Sequence, residues 1–472
     1  MIDSSGFHVI TNGLSPLKGI PILKTPSIMQ WPHLLSARRF KVNEGRVEDA
    51  HSSGSDAGLR TDFHVDHDRV VFSGAFRRLG RKTQVHPFAL NDLTHNRLTH
   101  SVEVGCVGRS LGNRVGAMLA EGRHLPSDIS PSDIGTIVQV ACLAHDIGNP
   151  PFGHIGEEAL RDWFLDPRHQ HYLATLSPVE RLDIQTYEGN AHSLRMVTSL
   201  EMYGDEGGMR LTSAVLGTLV KYPWTVDTFP ERRKFNFYQS ERAYYAAVAA
   251  ELGLLEVGSA HWVRHPLSYL MEAADDICYA ILDLEDAVEI DILDVHEFEA
   301  LLTPLAEIER VWRTVDPRQK CALLRGMAVG RCVADVAHRF IAHHEALLHG
   351  HLPAKDLITL CEGPVRDALD AAKSLASNKV YRHRTKLVTE IAAFPCLAVL
   401  LNCLVPAVHV WCTQGPSALS IRQQAELALL VPALTPGDTL YTGYMKVLDY
   451  LGAMTDNHAA RLAREISGIG LL

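Results

Sequence analysis

The sequence predicts a mostly α-helical protein with few short strands. Apolar residues recur at positions i, i+3, i+4 and i+7 through several long segments, which is the spacing of one buried helix face. Alternating apolar and polar runs, which are typical of half-buried strands, are short and hard to find. The clearest helical segments are residues 98–122, 131–146, 266–289 and 422–434.

The length of the chain, 472 residues, allows two or three domain-sized units or a single large helical body. The first 29 residues hold Gly, Pro and Ser without clear periodicity, and residues 300–380 have a helical pattern but no motif. The predicted units are an N-terminal extension (1–29), a core (30–295), a helical lobe (296–380) and a C-terminal helical part packing on the core (381–472).

The composition excludes several classes of protein. A formal net charge of -10 excludes a generally basic surface, so any nucleic-acid site has to be a local basic patch. The nine cysteines form no CxxC pair and are odd in number, which disfavours a thiolate zinc site and a complete disulfide framework. Buried free thiols in a reducing cytosol fit this pattern better.

Targeting and membrane signals are also missing from the sequence. The N-terminus has no basic region followed by an apolar core, so it does not resemble a secretory signal. The apolar stretch 394–411 is interrupted by Pro395 and Pro406 and falls short of the ~20 residues of a membrane helix. It is better interpreted as a core helix, and we expect a soluble, cytoplasmic protein that does not enter a membrane.

The dyad His145-Asp146 is the centre of a predicted metal site. Adjacent side chains diverge by about 100° on a helix, so the two reach one ion only near a helix end. The following segment 148–151, Gly-Asn-Pro-Pro, breaks the helix at this point. A single histidine among the 25 in the chain is weak evidence, but a dyad at an apolar helix end is stronger.

Two further residue types complete the predicted ligand shell. His100 lies upstream in an apolar helical segment, and Asp275 or Asp276 lies downstream in another. Two imidazoles and two carboxylates suit a divalent ion such as Mg, Mn, Fe, Co or Zn and leave positions for water and substrate. The order His, His-Asp, Asp therefore favours metal-assisted phosphate hydrolysis.

A candidate acid–base pair follows the dyad. His154 and Glu157 are three residues apart near the start of the next predicted helix, so they share a face. A histidine there can donate a proton to a departing oxygen, and a glutamate can orient it. A capping glutamate beside a turn histidine explains the same residues equally well.

One face of the 266–289 helix carries a carboxylate, a phenol and a second carboxylate. Asp275, Tyr279 and Asp283 stand at i, i+4 and i+8 among apolar neighbours, where unpaired carboxylates are costly. A solvated acidic stripe is the alternative interpretation, but burial favours a functional role. Arg97 lies one turn before His100, beside the predicted metal, and can contact phosphate.

Further basic residues can neutralise a polyphosphate, although each alone is as well explained as a surface residue. They are Arg77, Arg78, Lys82, Lys221 and Lys234.

These motifs together resemble the HD-domain phosphohydrolases, and in detail their deoxynucleoside triphosphate triphosphohydrolase (dGTPase) branch. The matching stretches include AFRRL…KTQV, RLTHSVEV, LAHDIGNPPFGHIGEEAL, YEGNAHSLR, KFNFYQSE, MEAADDICYAILDLEDA and the C-terminal DYLGAMTDNHA. The resemblance covers most of residues 30–290 and about the last thirty. It implies an HD-domain helical core with an additional helical lobe.

The resemblance also implies roles for individual residues. The metal ligands would be His100, His145, Asp146 and Asp275, and the catalytic pair would be His154 and Glu157. The substrate-binding residues would be Gln84 and Tyr279 with Asp283 at the deoxyribose, and Arg97, Asn190, Lys221 and Lys234 along the pocket or phosphates. Gly80-Arg81 and YEGNAHS depart from the family pattern, and residues 300–440 give only a weak likeness at KVYRHR.

The activity implied is hydrolysis of a dNTP, with dGTP favoured, to a deoxynucleoside and inorganic triphosphate, with Mg or Mn as the favoured ion. Two alternatives stay open: a phosphohydrolase of another nucleotide, and a nucleotide- or DNA-binding regulator without turnover. The resemblance further implies a homo-oligomer, a tetramer or hexamer, and allows a dNTP or single-stranded DNA as an effector.

Overall fold

The computed structural model describes residues 28–50, 60–85, 93–204, 206–307, 309, 311, 313–314 and 316–469. Helices dominate these residues, and the only strands within them form two short antiparallel hairpins. The hairpins pair β1 (Arg39–Asn43) with β2 (Arg46–Ala50) and β3 (Glu256–Gly258) with β4 (His261–Trp262). The prediction of a mostly α protein with few short strands is confirmed. The predicted extension, residues 1–29, lies almost wholly outside the described residues.

The helices of the first 300 residues include those that carry the predicted site. They are α1 (Trp31–Leu34), α2 (Asp62–Val71), α3 (Gly74–Arg78), α4 (Arg97–Glu121), α5 (Pro131–Ala144), α6 (His154–Leu165), α7 (Pro178–Gln185), α8 (Gly189–Arg195), α9 (Ser213–Leu219), α10 (Arg242–Glu251) and α11 (Pro266–Glu289).

The remaining helices belong mostly to the motif-poor part of the sequence. They are α12 (Val295–Leu302), α13 (Pro317–Ala342), α14 (His344–Leu348), α15 (Pro364–Leu375), α16 (Arg384–Gln414), α17 (Ile421–Leu427), α18 (Leu440–Ala453) and α19 (Asp456–Ile466).

Three of the four clearest helix predictions are confirmed, because the sequence supplies caps at the right places. The Asn96 side chain accepts hydrogen bonds from the first turn of α4, and the Ser130 side chain does so for α5. Proline is the first residue of both α5 and α11, where its missing N–H costs nothing. The fourth prediction, a helix over 422–434, is wrong: α17 ends at Leu427, and Pro432 further on lacks the N–H that would extend the helix across it.

Helices α4 and α5 lie unusually close together, which brings the site residues at their ends within reach of one another. A Cβ atom at Gly112 of α4 would lie 2.7 Å from the Cα atom of Gly135 in α5. Only glycine allows this approach of two backbones. Helix α11 packs on both, so that each of α4, α5 and α11 contacts the other two.

The buried apolar side chains fall into two clusters. The first includes side chains of α4, α5, α11, α13 and α15, and the second includes side chains of α6, α7, α16, α18 and α19. The predicted metal ligands come from helices of the first cluster, whereas His154 and Glu157 stand on α6, a helix of the second. The site therefore lies where the two clusters meet.

Helix α16 runs without a break through Pro395 and Pro406, so the expectation that these prolines leave the apolar stretch short of membrane-helix length is wrong. Packing of α16 against α6, α18 and α19 offsets the backbone hydrogen bonds that the prolines remove. By length and composition, Lys386–Gln414 is also apolar enough to cross a membrane, but 50% of its most apolar window is buried within the protein. This burial is what we expect of a core helix.

Candidate active site

Four side chains from three helices converge on one point. His100 stands in the first turn of α4, His145 and Asp146 directly follow α5, and Asp275 lies in the middle of α11. One potential ligand atom from each of His100, His145 and Asp146 lies within 4.8 Å of the others. The Asp275 Oδ1 atom is 3.2 Å from His100 Nε2 and 3.4 Å from His145 Nε2. The cluster thus offers two imidazole nitrogens and two carboxylates to one ion.

The His145 ring is oriented by the helix that precedes it. Its Nδ1 atom lies 2.6 Å from the carbonyl oxygen of Cys142 in the last turn of α5. A carbonyl oxygen only accepts, so Nδ1 carries the proton and Nε2 is left as the ligand atom facing the cluster. An orienting bond of this kind is typical of metal-binding histidines.

The two candidate acids of α11 have different partners. Asp275 contacts both imidazoles, and Lys221 Nζ lies 3.3 Å from its Oδ2 atom. Asp276 also lines the cavity described below, but its side chain pairs with Lys373 of α15 at 3.3 Å. The geometry therefore places Asp275, rather than Asp276, among the candidate ligands.

Positive charge surrounds the two ligand carboxylates. Arg97 donates from Nη1 to Asp146 Oδ2 at 2.5 Å, and the Asn149 amide donates to the other oxygen of Asp146. Burial by itself would raise the pKa of Asp146. Arg97 and the two imidazoles lower this pKa by more than burial raises it, so it lies below the usual range. The pKa of Asp275 is likewise well below the usual range, because His145 and Lys221 outweigh its burial.

The donor set fits a divalent cation. Both carboxylates are held ionised, one imidazole is oriented with Nε2 free, and the ligand atoms are close enough to share an ion. Mixed nitrogen and oxygen donors suit Mg, Mn, Fe, Co or Zn. His100, His145, Asp146 and Asp275 are thus the residues that would hold it.

The predicted acid–base pair stands at the start of α6. The His154 side chain is 78% exposed, and its Nδ1 atom lies 3.4 Å from Oε2 of the buried Glu157. Glu157 also accepts a hydrogen bond from the backbone N–H of Gly189 at 2.8 Å. Burial raises the pKa of Glu157, but His154 and nearby cations bring it below its ordinary value. An exposed imidazole on a fixed carboxylate has the arrangement of a general acid with its orienting group.

Two predicted substrate contacts, Asn190 and Lys234, instead meet at a carboxylate that sequence reasoning missed. The Asn190 amide donates to Glu188 Oε1 at 2.6 Å, and Lys234 Nζ lies 3.0 Å from Glu188 Oε2. Arg161 joins Glu188 to Glu157, at 3.2 and 3.5 Å respectively. Burial raises the pKa of Glu188. The glutamate of YEGNAHS was visible as part of a motif, but nothing in the sequence indicated its burial.

A cavity of about 290 Å³ opens over the cluster. Its lining includes many of the predicted site residues: Gln84, Arg97, His100, Asp146, His154, Asp275 and Tyr279. The other predicted site residues lie outside this lining: His145, Glu157, Asn190, Lys221, Lys234 and Asp283. The side-chain oxygen of Gln84 is buried and has no hydrogen-bond partner among the described residues. The cavity thus combines three of the four candidate ligands, a candidate acid and an unused acceptor.

One wall of the cavity comes from the segment 381–390, for which the sequence gave only a weak likeness. Tyr381, Lys386, Thr389 and Glu390 all contribute to it. Tyr381 donates a hydrogen bond to Asp283 at 2.7 Å, and its ring centroid is 5.8 Å from that of Tyr279. Asp283 therefore supports the wall from behind, and burial raises its pKa to about 7.

Two basic residues of the AFRRL…KTQV stretch, Arg78 and Lys82, are placed differently from the phosphate contacts predicted for them. Arg78 pairs with Glu201 at 2.7 Å. Lys82 is buried and donates to the carbonyl oxygens of Asn149 and Gly452. Burial lowers the pKa of Lys82 to about 7. Both side chains are engaged within the protein rather than directed into the cavity.

Comparison with known proteins places this site in a family context. Residues 97–183 match the family model described as HD domain. A protein of Pseudomonas aeruginosa (strain LESB58) named deoxyguanosinetriphosphate triphosphohydrolase-like protein is 44% identical over 451 residues, covering 93% of this chain and 99% of that protein. A protein of the same name from Synechocystis sp. is 35% identical, covering 94% and 100% of the two chains. An Enterobacter sp. protein named deoxyguanosinetriphosphate triphosphohydrolase is 32% identical, covering 79% and 81%.

Proposed function

The chain belongs to the family of deoxyguanosinetriphosphate triphosphohydrolase-like proteins with an HD domain, and on that premise we propose that it hydrolyses a deoxynucleoside triphosphate to a deoxynucleoside and inorganic triphosphate. One observation carries the proposal: three of the four candidate metal ligands line the same cavity as His154 and Gln84. Its volume of about 290 Å³ is close to the lower end of the range for small-molecule sites, roughly 300–1,000 Å³.

The phosphate-cleaving end of the cavity is the cluster of His100, His145, Asp146 and Asp275. A divalent ion held there, Mg or Mn by preference, would polarise a phosphoryl oxygen and lower the pKa of water. Arg97 lies against Asp146 and also lines the cavity, and its buried Nε atom has no partner among the described side chains. This unused donor supports a contact between Arg97 and a phosphate oxygen.

The leaving group needs a proton, and His154 is placed to supply it. Attack of water on the α-phosphorus breaks the bond to the 5′-oxygen, which takes a proton as it leaves, while the attacking water loses one. His154 reaches the cavity and is oriented by Glu157, so we assign the proton donation to its imidazole. Cleavage at the α-phosphorus leaves the three phosphates joined as inorganic triphosphate.

The sugar end of the cavity is proposed to lie at Gln84 and Tyr279. The buried oxygen of Gln84 is an acceptor without a donor among the described residues, and a sugar hydroxyl would supply one. Tyr279 lines the cavity beside Tyr381, which Asp283 anchors. The adjacent rings of Tyr279 and Tyr381 leave little room on this side of the cavity for an additional hydroxyl group, which favours a deoxyribose over a ribose.

We propose dGTP as the first substrate to test, because the Enterobacter and Serratia relatives bear the name deoxyguanosinetriphosphate triphosphohydrolase. Asn190, Lys221 and Lys234 stay candidates for phosphate binding, although each now pairs with a carboxylate. A homo-oligomer, a dNTP or single-stranded DNA effector and a cytoplasmic location stay predictions.

The decisive experiment is product analysis with purified protein, Mn or Mg, each of the four dNTPs and GTP. Release of inorganic triphosphate in equal amount to deoxynucleoside is the expected result, and Asp146→Ala should abolish it. Release of pyrophosphate or single phosphate would refute the assignment of the α-phosphorus. Turnover of GTP as fast as dGTP would refute the sugar assignment.

The ligand assignment has a matched control on the same helix. Asp275→Asn and Asp276→Asn remove the same charge one residue apart, but only Asp275 contacts the imidazoles. We expect Asp275→Asn to weaken Mn binding by at least 10-fold, as loss of a ligand does, and Asp276→Asn to leave it within about threefold. Calorimetric titration with Mn measures both, and equal affinities in the two variants would contradict the assignment.

A further inference from the structure

Asp456, the first residue of α19, ties together two segments that are far from it in sequence. Its carboxylate is buried, with 3% of the residue exposed. One oxygen accepts a hydrogen bond from the backbone N–H of Thr83 at 2.8 Å, and the other accepts one from the N–H of Phe152 at 2.9 Å. Both oxygens therefore bind backbone of other elements.

The two segments held by Asp456 lead directly to cavity residues. Thr83 precedes Gln84, and Phe152 stands two residues before His154. Thr83 and Phe152 also line the cavity themselves. A shift of either backbone would move the side chain that we assign to the sugar or to the leaving group.

The turn before His154 needs such support because its backbone is strained. Phe152 has φ +67° and Gly153 has φ +62°, in the left-handed region. A non-glycine residue is uncommon there, and such a conformation persists only when the surroundings fix it. The bond from Asp456 to the N–H of Phe152 is a fixed point from outside the turn.

Lys82 provides a second link between the C-terminal segment and the turn. Buried Lys82 donates to the carbonyl oxygen of Asn149 and to that of Gly452. Residues 452–456 thus join the KTQV segment and the 149–152 turn through one carboxylate and one ammonium group. Thr83 in addition pairs with Asn96, the residue that caps α4.

Capping of α19 does not account for the position of Asp456. The side chain of Thr455 already caps this helix, accepting from the N–H of His458 at 3.3 Å. A carboxylate in the first turn would also stabilise the helix dipole from the surface. Burial of Asp456 with one backbone donor on each oxygen indicates a role in the neighbouring segments.

We propose that Asp456 is a positioning residue of the active site, which rests on the proposed function: it holds the 149–154 turn and the Thr83–Gln84 segment where His154 and Gln84 meet the substrate. The C-terminal helix then contributes to catalysis without touching the substrate.

The test compares Asp456→Asn and Asp456→Ala with a matched control. The amide of asparagine keeps one acceptor oxygen, whereas alanine keeps none. Asp133→Ala is the control, because Asp133 is also a buried carboxylate in a helix first turn and accepts from Ser130 N at 2.9 Å. It lies roughly 18 Å from His145 along α5, at about 1.5 Å per residue.

Two readouts separate positioning from general damage. In metal-free protein, hydrogen exchange of peptides containing Thr83 and Phe152 should quicken at least about 10-fold in Asp456→Ala, less in Asp456→Asn, and not in Asp133→Ala. In the Mn-loaded enzyme, kcat should fall about 10- to 100-fold in Asp456→Ala and by an intermediate factor in Asp456→Asn. Mn affinity should stay within about threefold, because no ligand is held by Asp456.

Unchanged exchange at these peptides, or a kcat in Asp456→Asn within twofold of the wild type, would overturn the proposal. An equal loss of kcat in Asp133→Ala would overturn it as well, since the effect would then be general. If Asp456→Ala does not fold, the asparagine variant still decides. A wild-type protein that releases no triphosphate would refute the proposed function. Wild-type hydrogen-exchange rates at Thr83 and Phe152 in Asp456→Asn would refute, independently of activity, the role of Asp456 in holding these two segments.

Discussion

Replacing Gly153 with alanine should damage the active site more than the fold, and the chain contains its own control for this change. Gly153 precedes α6 with φ +62° and ψ −134°, and Gly363 precedes α15 with φ +58° and ψ −141°. The two backbones are nearly the same, so an added Cβ atom is equally strained in both. Only the surroundings differ.

The magnitude follows from what the new Cβ atom would meet. At Gly363 nothing lies within 4 Å, whereas at Gly153 the Nη2 atom of Arg97 would be 2.6 Å away. The guanidinium would have to withdraw, although its Nη1 atom is bound to Asp146 at 2.5 Å. We expect each variant to lose about 1–3 kcal/mol of unfolding free energy from backbone strain. Only Gly153→Ala should lose activity, by about 10- to 100-fold in kcat/KM, because Arg97 and His154 move.

Urea unfolding and steady-state kinetics on both variants measure the two effects separately. Stability losses that agree within about 1 kcal/mol, with activity lost in Gly153→Ala alone, are the expected result. Normal activity in Gly153→Ala would refute the reasoning, since Arg97 would then tolerate displacement. An equal activity loss in Gly363→Ala would refute it too, because the strain itself would then be the cause.

Two more predictions concern buried acids. Burial raises the pKa of Asp183 to about 7, above the 3.8 of the unfolded chain, so its stabilising contribution is present below pH 4 and is lost as pH rises towards 7. Asp183→Asn mimics the protonated form, so its free energy of unfolding should rise relative to that of the wild type by up to about 1.4 kcal/mol per pH unit in this window. A pH-independent difference in unfolding free energy between the two proteins would contradict this. Tyr381→Phe removes the hydrogen-bond donor from Asp283, so the variant should lose about 1–3 kcal/mol of unfolding free energy. Its KM should rise while its Mn affinity stays the same, and an unchanged KM would exclude Tyr381 from substrate binding.

Local signals in the sequence were enough to predict the helices that position the candidate metal ligands. Helices α4, α5 and α11 have long apolar periodicity and a side-chain cap or an initial proline, which outweigh the glycines inside α4 and α5. The prediction was wrong where local and tertiary effects disagree. The helical pattern of 422–434 stops at Leu427, before Pro432 is reached, whereas Pro395 and Pro406 leave α16 intact because it packs against other helices.

The candidate site was predictable only to the extent that its residues sit in motifs. His100, His145, Asp146 and Asp275 were marked by residue type and order, and the structure brings them together. The wall formed by Tyr381 and its neighbours comes from a part of the sequence without a clear pattern. Burial and partner choice are tertiary properties, so the roles of Glu188 and Asp456 could not be read from the residues alone.

Charge pairing accounts for the difference between the phosphate contacts predicted from the sequence and those in the structure. Arg97 and Lys221 were expected to bind phosphate, yet each lies against a candidate ligand carboxylate, Asp146 and Asp275 respectively. A buried carboxylate without a cationic partner is costly, and these two side chains are the cations that pair with Asp146 and Asp275. Arg97 lines the cavity, whereas Lys221 lies outside its lining. The predicted role of Arg97 is therefore compatible with its observed position, since a substrate phosphate in the cavity would compete with Asp146 for the same guanidinium group.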